Sequence, residues 1–165
     1  MKRNVVLVLD ADADTARAVA CAAANGNCDL RFMQTSKEFF HFCSEDFENV
    51  TAIVLDVDPG IHGMAILEAL DACENTPPII VVSALEEHRL GPVVQRHGAM
   101  ACLGKPLGLT RLGRALDQAG SAVPRRAAIF GVTSPIAPVP VAEPAFFNHS
   151  PQRISQPNYG IHNCV

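Results

Sequence analysis

The sequence predicts an α/β fold: a doubly wound, parallel five-stranded sheet of (βα)5 order. Short apolar runs of strand length recur along the chain, and stretches of helical period separate them. The runs are continuous rather than alternating, as expected of strands covered on both faces. Alternating β and α elements imply right-handed crossovers, with helices on both sides of the sheet.

VVLVL at 5–9 is the first strand. Residues 12–25 are rich in Ala and close on Asn25-Gly26, a helix stop. CDLRFMQ at 28–34 alternates more and is assigned to a sheet edge. Ser36 is the expected N-cap of a helix over 37–46. TAIVL (51–55) and PIIVVS (78–83) are rich in β-branched residues and read as buried strands. Between them, Met64, Leu67 and Leu70 with Ala69 and Cys73 give 63–74 a helical period. A helix over 85–97, the weaker strand AMACLG (99–104) and a helix over 109–119, with Leu109, Leu112 and Leu116 on one face, complete the order.

From about residue 121 no period remains. The last stretch holds seven of the twelve prolines, and Pro135, Pro138, Pro140 and Pro144 indicate an extended, polyproline-like segment. The expected organisation is a domain over 1–120 followed by a Pro-rich tail or linker over 121–165. Its aromatics, Phe146, Phe147 and Tyr159, either dock on a protein surface or stay disordered.

A chain of 165 residues has room for one ordinary domain. With 48% hydrophobic and 18% charged residues it can build a packed core, and with no Trp and one Tyr that core must be aliphatic. A net charge of −4 offers no general attraction to nucleic acid or an anionic membrane. The six cysteines include no CxxC pair, so reduced, mostly buried thiols are expected. The six histidines lie apart without ligand spacing, and only His62 falls near the chemistry below. No apolar stretch reaches spanning length, so a soluble, cytoplasmic protein is expected.

In an open parallel sheet, ligands bind beyond the carboxyl ends of the strands, where strand order reverses. Asp10, Asp56, Ser83 and Lys105 occupy those ends. Two carboxylates can hold a hard divalent cation such as Mg²⁺, which leaves one of them free to act as a nucleophile toward a phosphoryl donor. An ammonium and a hydroxyl can then hold phosphoryl oxygens.

LVLDAD (7–12), IVLD (53–56), IIVVSA (79–84) and CLGKPL (102–107) follow one another in this order. Together they resemble the response-regulator receiver family of two-component signalling, over roughly residues 4–120. The resemblance implies a flavodoxin-like fold and an aspartyl phosphate on Asp56. It makes Asp10 a metal ligand, Ser83 the switch hydroxyl and Lys105 the phosphate-pairing lysine. It further implies Mg²⁺, held also by the backbone carbonyl of Asp58, and a cis Lys105-Pro106 peptide. Histidine kinases or phosphotransfer proteins would be donors, a downstream output protein or domain the target, and a homodimer one assembly. Three departures accompany the likeness. The acidic cluster reads Asp10-Ala11-Asp12 rather than two adjacent acids, so Asp12 or Asp14 either supplies the second carboxylate or caps the helix. The loop after Asp56 is one residue short of the common pattern, and Cys102 stands at an aromatic switch position.

Two other functions fit the residues. A pseudo-receiver would keep the fold and bind partners without phosphorylation, as Ala11 and the short loop suggest. Asp56-Val57-Asp58 with Ser83 and Lys105 also resembles the haloacid-dehalogenase phosphohydrolases, with Asp56 as nucleophile and Asp58 as general acid. That reading leaves Asp10 unexplained and lacks an acidic pair after Lys105. A non-enzymatic signalling module is therefore the favoured expectation.

Overall fold

The computed structural model describes residues 4–122, apart from 25 and 27. The expected tail from residue 123 on, with Phe146, Phe147 and Tyr159, and Asn25 of the expected helix stop lie outside the described residues. Five strands alternate with five helices: β1 (Val5–Leu9), α1 (Ala13–Ala23), β2 (Asp29–Met33), α2 (Ser36–Asp46), β3 (Val50–Asp56), α3 (Gly63–Asp71), β4 (Ile79–Ser83), α4 (Glu87–Arg96), β5 (Ala101–Gly104) and α5 (Leu109–Ser121). All pairings are parallel and the strand order is β2-β1-β3-β4-β5. The (βα)5 expectation holds, and β2, exposed at most positions, is an edge strand as its alternation indicated.

Because side chains alternate along a strand, each central strand feeds two cores. Leu7, Leu9, Ile53, Leu55, Ile79 and Val81 face one side, where Phe39 of α2, Leu67 of α3 and Val94 of α4 cover them. Val6, Val8, Val54, Ile80 and Val82 face the other, covered by Val19 of α1 and by Leu112 and Ala115 of α5. Both faces of β1 and β4 are thus buried along their whole length, which is why these runs carry no polar alternation. Each fully buried Leu or Ile contributes roughly 2 kcal/mol, so these two layers, not the polar site, hold the domain.

Helix boundaries differ from the sequence expectation: α1 is Ala13–Ala23 rather than 12–25 and α5 ends at Ser121 rather than 119, while those of α2, α3 and α4 differ for clear local reasons. Ser36 is the first residue of α2 rather than its cap; Thr35 caps, its Oγ1 accepting from the Glu38 amide at 3.2 Å while Glu38 Oε2 accepts from the Gln34 amide at 2.9 Å. Helix α3 stops at Asp71 because the Thr76 hydroxyl donates to the Leu70 and Cys73 carbonyls, at 2.7 and 3.0 Å. Helix α4 starts only at Glu87, since the Ala84 and Leu85 amides are bonded to side chains instead.

Two features set the strand ends that matter. Leu9 pairs with Leu55, Asp56 with Val82 and Ser83 with Gly104, so Asp10, Asp56, Ser83 and Lys105 emerge almost level. The chain runs outward from β1 to β2 and returns across β1 to β3, which makes the β1/β3 boundary the point of reversal. The return after β3 is tight. His62 sits at φ 57°, and a Cβ on Gly63 would lie 1.9 Å from the Asp56 carbonyl oxygen. Only glycine lets α3 begin that close to the strand.

Candidate functional site

Asp10 and Asp56 leave their strands in the same way. Oδ1 of Asp10 accepts from the Asp12 amide at 2.7 Å, and Oδ1 of Asp56 accepts from the Asp58 amide at 2.9 Å. Each is an Asx turn, in which a carboxylate bonds the amide two residues on. The turn spends Oδ1 and leaves Oδ2 for the space between the strands. There the Lys105 ammonium lies 2.9 Å from Asp10 Oδ2 and 3.3 Å from Asp56 Oδ2. Backbone bonds hold the frame: the Lys105 amide donates to the Ser83 carbonyl at 2.8 Å, and Val57 to Val82 at 3.2 Å.

A third carboxylate joins them. Asp58 Oδ2 is 3.4 Å from the same ammonium. Asp58 Oδ1 accepts from the Ser83 hydroxyl at 2.5 Å, and the Ala84 amide donates to both Asp58 oxygens, at 3.0 and 2.9 Å. Ser83, wholly buried, in turn accepts from the Leu85 amide at 3.0 Å. Asp10, Asp56, Ser83 and Lys105 therefore meet at one spot. Asp12 does not join them: it is exposed, caps α1 by accepting from the Asp14 amide at 2.9 Å, and is not among the carboxylates at Lys105. Asp14 is likewise exposed and pairs with Arg17.

Three carboxylates thus face one ammonium, a formal surplus of two negative charges. Burial, helped by the charges of Asp10 and Asp58, holds the Asp56 carboxyl above the ordinary carboxylate range, although the Asp58 amide and Lys105 pull the other way. Burial also acts to raise Asp58, but the Ser83 hydroxyl, the Ala84 amide and Lys105 outweigh it and hold that carboxyl below its usual value. Burial disfavours the Lys105 charge, yet Asp10 and Asp56 more than compensate and hold the ammonium above its usual range.

The donor chemistry suits a hard divalent cation. Only oxygen is offered, two carboxylates are enough for an ion that keeps its waters, and the surplus charge calls for a cation. Asp10 Oδ2 is moreover sealed from solvent without a well-aligned hydrogen bond; its ion pair with Lys105 is close but off-angle. Among the described residues no three acidic, His or Cys side chains form a ready-made coordination shell. Asp10 and Asp56 are the pair that would serve. A cavity of about 520 Å³ lies elsewhere, at the other end of the strands beside Asn4, Cys28, Thr51 and Arg114.

Residues 6–117 match the model of the response regulator receiver domain. The chain belongs to that family. Solved structures of similar fold include a response regulator from Thermotoga maritima, 20% identical with a TM-score of 0.63, covering 73% of this chain and 99% of that one. A response regulator receiver protein from Burkholderia phymatum is 23% identical with a TM-score of 0.62, covering 74% and 100%. NtrX from Brucella abortus is 18% identical with a TM-score of 0.62; the match covers 72% of this receiver chain but 27% of NtrX, a longer protein. No curated protein matches.

Within this receiver domain, the Lys105-Pro106 peptide is cis, as the family resemblance implied. Cys102, at the aromatic switch position, is buried, and burial raises its thiol pKa, which suits packing better than redox chemistry. His62 is exposed and shapes the turn before α3. In the receiver reading of the sequence only the backbone carbonyl of Asp58 was assigned; its carboxylate entered there only as the general acid of the phosphohydrolase alternative, not as a partner of Ser83, Ala84 and Lys105. A signal was present: Asp-x-Asp occurs at both strand ends, and in each the first aspartate turns back on the amide of the second. No helix among the described residues is long and apolar enough to cross a membrane.

Proposed function

We propose that this receiver takes a phosphoryl group on Asp56 from a histidine kinase or a phosphotransfer protein, and that the modified domain changes its affinity for a downstream output protein or domain. The observation that carries this reading is the meeting of Asp10, Asp56, Ser83 and Lys105 from four strand ends. Oδ1 of Asp56 is held by the Asp58 amide, so Oδ2 is the attacking oxygen. Its raised pKa makes it the more basic nucleophile. An O–P bond forms as the P–N bond of the phosphohistidine breaks, and the imidazole nitrogen leaves with the bonding pair. Lys105 then pairs with a phosphoryl oxygen and the Ser83 hydroxyl donates to another.

Asp10, Asp56 and the Asp58 backbone carbonyl would hold Mg²⁺, with Asp12 able to contribute only by leaving its capping bond. Bound there, the ion neutralises charge on the entering phosphoryl group. The responding surface is the start of α4 next to β5, because Leu85, 56% exposed, lies two residues after Ser83 and lines one surface with Leu90 and Val93. The setting is cytoplasmic, and a homodimer is one form of output. Phosphohydrolase turnover is disfavoured, since no acidic pair follows Lys105 and the reading leaves Asp10 without a role.

Incubation with millimolar Mg²⁺ and acetyl phosphate should add one phosphoryl group by mass spectrometry, and Asp56→Asn should abolish the uptake. Absence of uptake by the wild-type chain refutes the reading. A phosphorylation-independent interaction module is the second reading. It is favoured by the engagement of Ser83 and Ala84 with Asp58 rather than with an open site, and it predicts partner binding unchanged by Asp56→Asn.

A further inference from the structure

The Ser83 hydroxyl, the Ala84 amide and the Lys105 ammonium are three donors of different kinds gathered on one anion. That anion is Asp58. Donors of this set are what a phosphoryl group on Asp56 would require, and the Ser83 hydroxyl and the Ala84 amide, with one hydrogen each, can serve only one such partner fully. The single hydrogen of the Ser83 hydroxyl already goes to Asp58 Oδ1, while its oxygen accepts from Leu85.

We infer that Asp58 is a resident occupant of the phosphoryl seat: its carboxylate holds Ser83 and Ala84 in the engaged arrangement and must leave before a phosphoryl group on Asp56 can take those donors. Like charge sharpens the competition, because a phosphoryl group adds close to two negative charges beside Asp58. Departure is sterically open. The Asp58 side chain is 19% exposed, against 2% for Asp10 and 8% for Asp56, so it can rotate outward while its amide stays on Asp56 Oδ1. The device therefore sets a threshold for modification and keeps the loop from Ser83 to Leu85 ordered beforehand. The competition rests on Asp56 being the phosphoacceptor; the occupied seat does not.

The experiment uses the full chain in wild-type, Asp58→Ala and Asp58→Asn forms. Without metal or phosphodonor, amide hydrogen exchange by NMR should show Ala84 exchanging at least tenfold faster in Asp58→Ala. Asp58→Asn, which keeps one acceptor but loses the charge, should fall between. With Mg²⁺ and beryllium trifluoride, a phosphoryl mimic, Asp58→Ala should bind the mimic at least tenfold more tightly than wild type. Unchanged exchange at Ala84 overturns the occupied seat. Faster exchange with equal or weaker mimic binding overturns the competition. If no form binds the mimic, the phosphoacceptor reading of Asp56 fails and the competition fails with it, while the exchange data decide the seat by themselves.

Discussion

Replacing Lys105 with Met would remove the one cation among three carboxylates while keeping most of the aliphatic stem. The ammonium lies 2.9, 3.3 and 3.4 Å from Asp10, Asp56 and Asp58, and its side chain is 16% exposed. At such separations and an effective dielectric near 20, each attraction is worth roughly 5 kcal/mol before desolvation is charged against it. Desolvation of four charges cancels most of that sum, but deleting one member leaves the others uncompensated, and a net loss of about 3 kcal/mol is expected at pH 7.

The sign of its pH dependence follows from proton linkage. In the variant, Asp56, whose carboxyl is already raised in the wild type, loses the opposing pull of Lys105 and is raised further above its unfolded value. The native state then holds more protons than the unfolded chain, so variant stability rises as pH falls from 7 toward the unfolded value of about 4. Asp58 gives the wild type the opposite slope. Its lowered pKa contributes stability that is present above its unfolded value and lost as pH falls through the native one, and part of that contribution goes with Lys105. The Asp56 effect narrows the gap as pH falls from 7, and the Asp58 effect adds to it only below the unfolded value of about 4. Urea unfolding monitored by circular dichroism should show a deficit of about 3 kcal/mol at pH 7 that is smaller near pH 5. At a slope of ~1.5 kcal/mol per molar urea, the neutral-pH deficit is a midpoint shift of about 2 M. Equal midpoints at pH 7, or a deficit that widens on acidification, would refute the charge balance argued for this site.

Gly63→Ala should cost at least about 3 kcal/mol, because its Cβ would fall 1.9 Å from the Asp56 carbonyl oxygen and nothing flexible is there to yield; thermal unfolding checks this, and a shift under 2 °C would contradict it. Asp12→Ala should lower stability by about 1 kcal/mol through the lost cap of α1. Its Mg²⁺ affinity by titration should stay within about threefold of wild type, and a tenfold loss would show that Asp12 leaves the cap to bind metal.

Much of this fold was legible because burial on two faces writes itself into composition. VVLVL and IIVVS are apolar at every position since β1 and β4 have no solvent face, and β2, largely exposed, alternates. Asp10, Asp56, Ser83 and Lys105 could be found for the same reason: each is the first polar residue after an apolar run, or close to it. The finer boundaries depended on single hydrogen bonds without periodicity. Choosing Thr35 over Ser36 as a cap, or ending α3 at Asp71 for the sake of the Thr76 hydroxyl, requires knowing which of several adjacent polar groups is turned inward.

The two Asp-x-Asp turns explain why the third carboxylate could not be read the same way. Both begin alike, with Oδ1 of the first aspartate on the amide of the second. After β1 the helix starts at Ala13, so Asp12 is its N-cap, and its carboxylate is drawn outward to the Asp14 amide. After β3 the helix waits until Gly63, which leaves a loop in which Asp58 has no helix amides to serve. Its carboxylate turns inward to the nearest unsatisfied donors, Ser83, Ala84 and Lys105. The same dipeptide spacing therefore gives a cap in one place and an anion within the phosphoryl site in the other. What decides between them is how many residues separate the second aspartate from the next helix, a quantity set by the close approach that Gly63 alone permits.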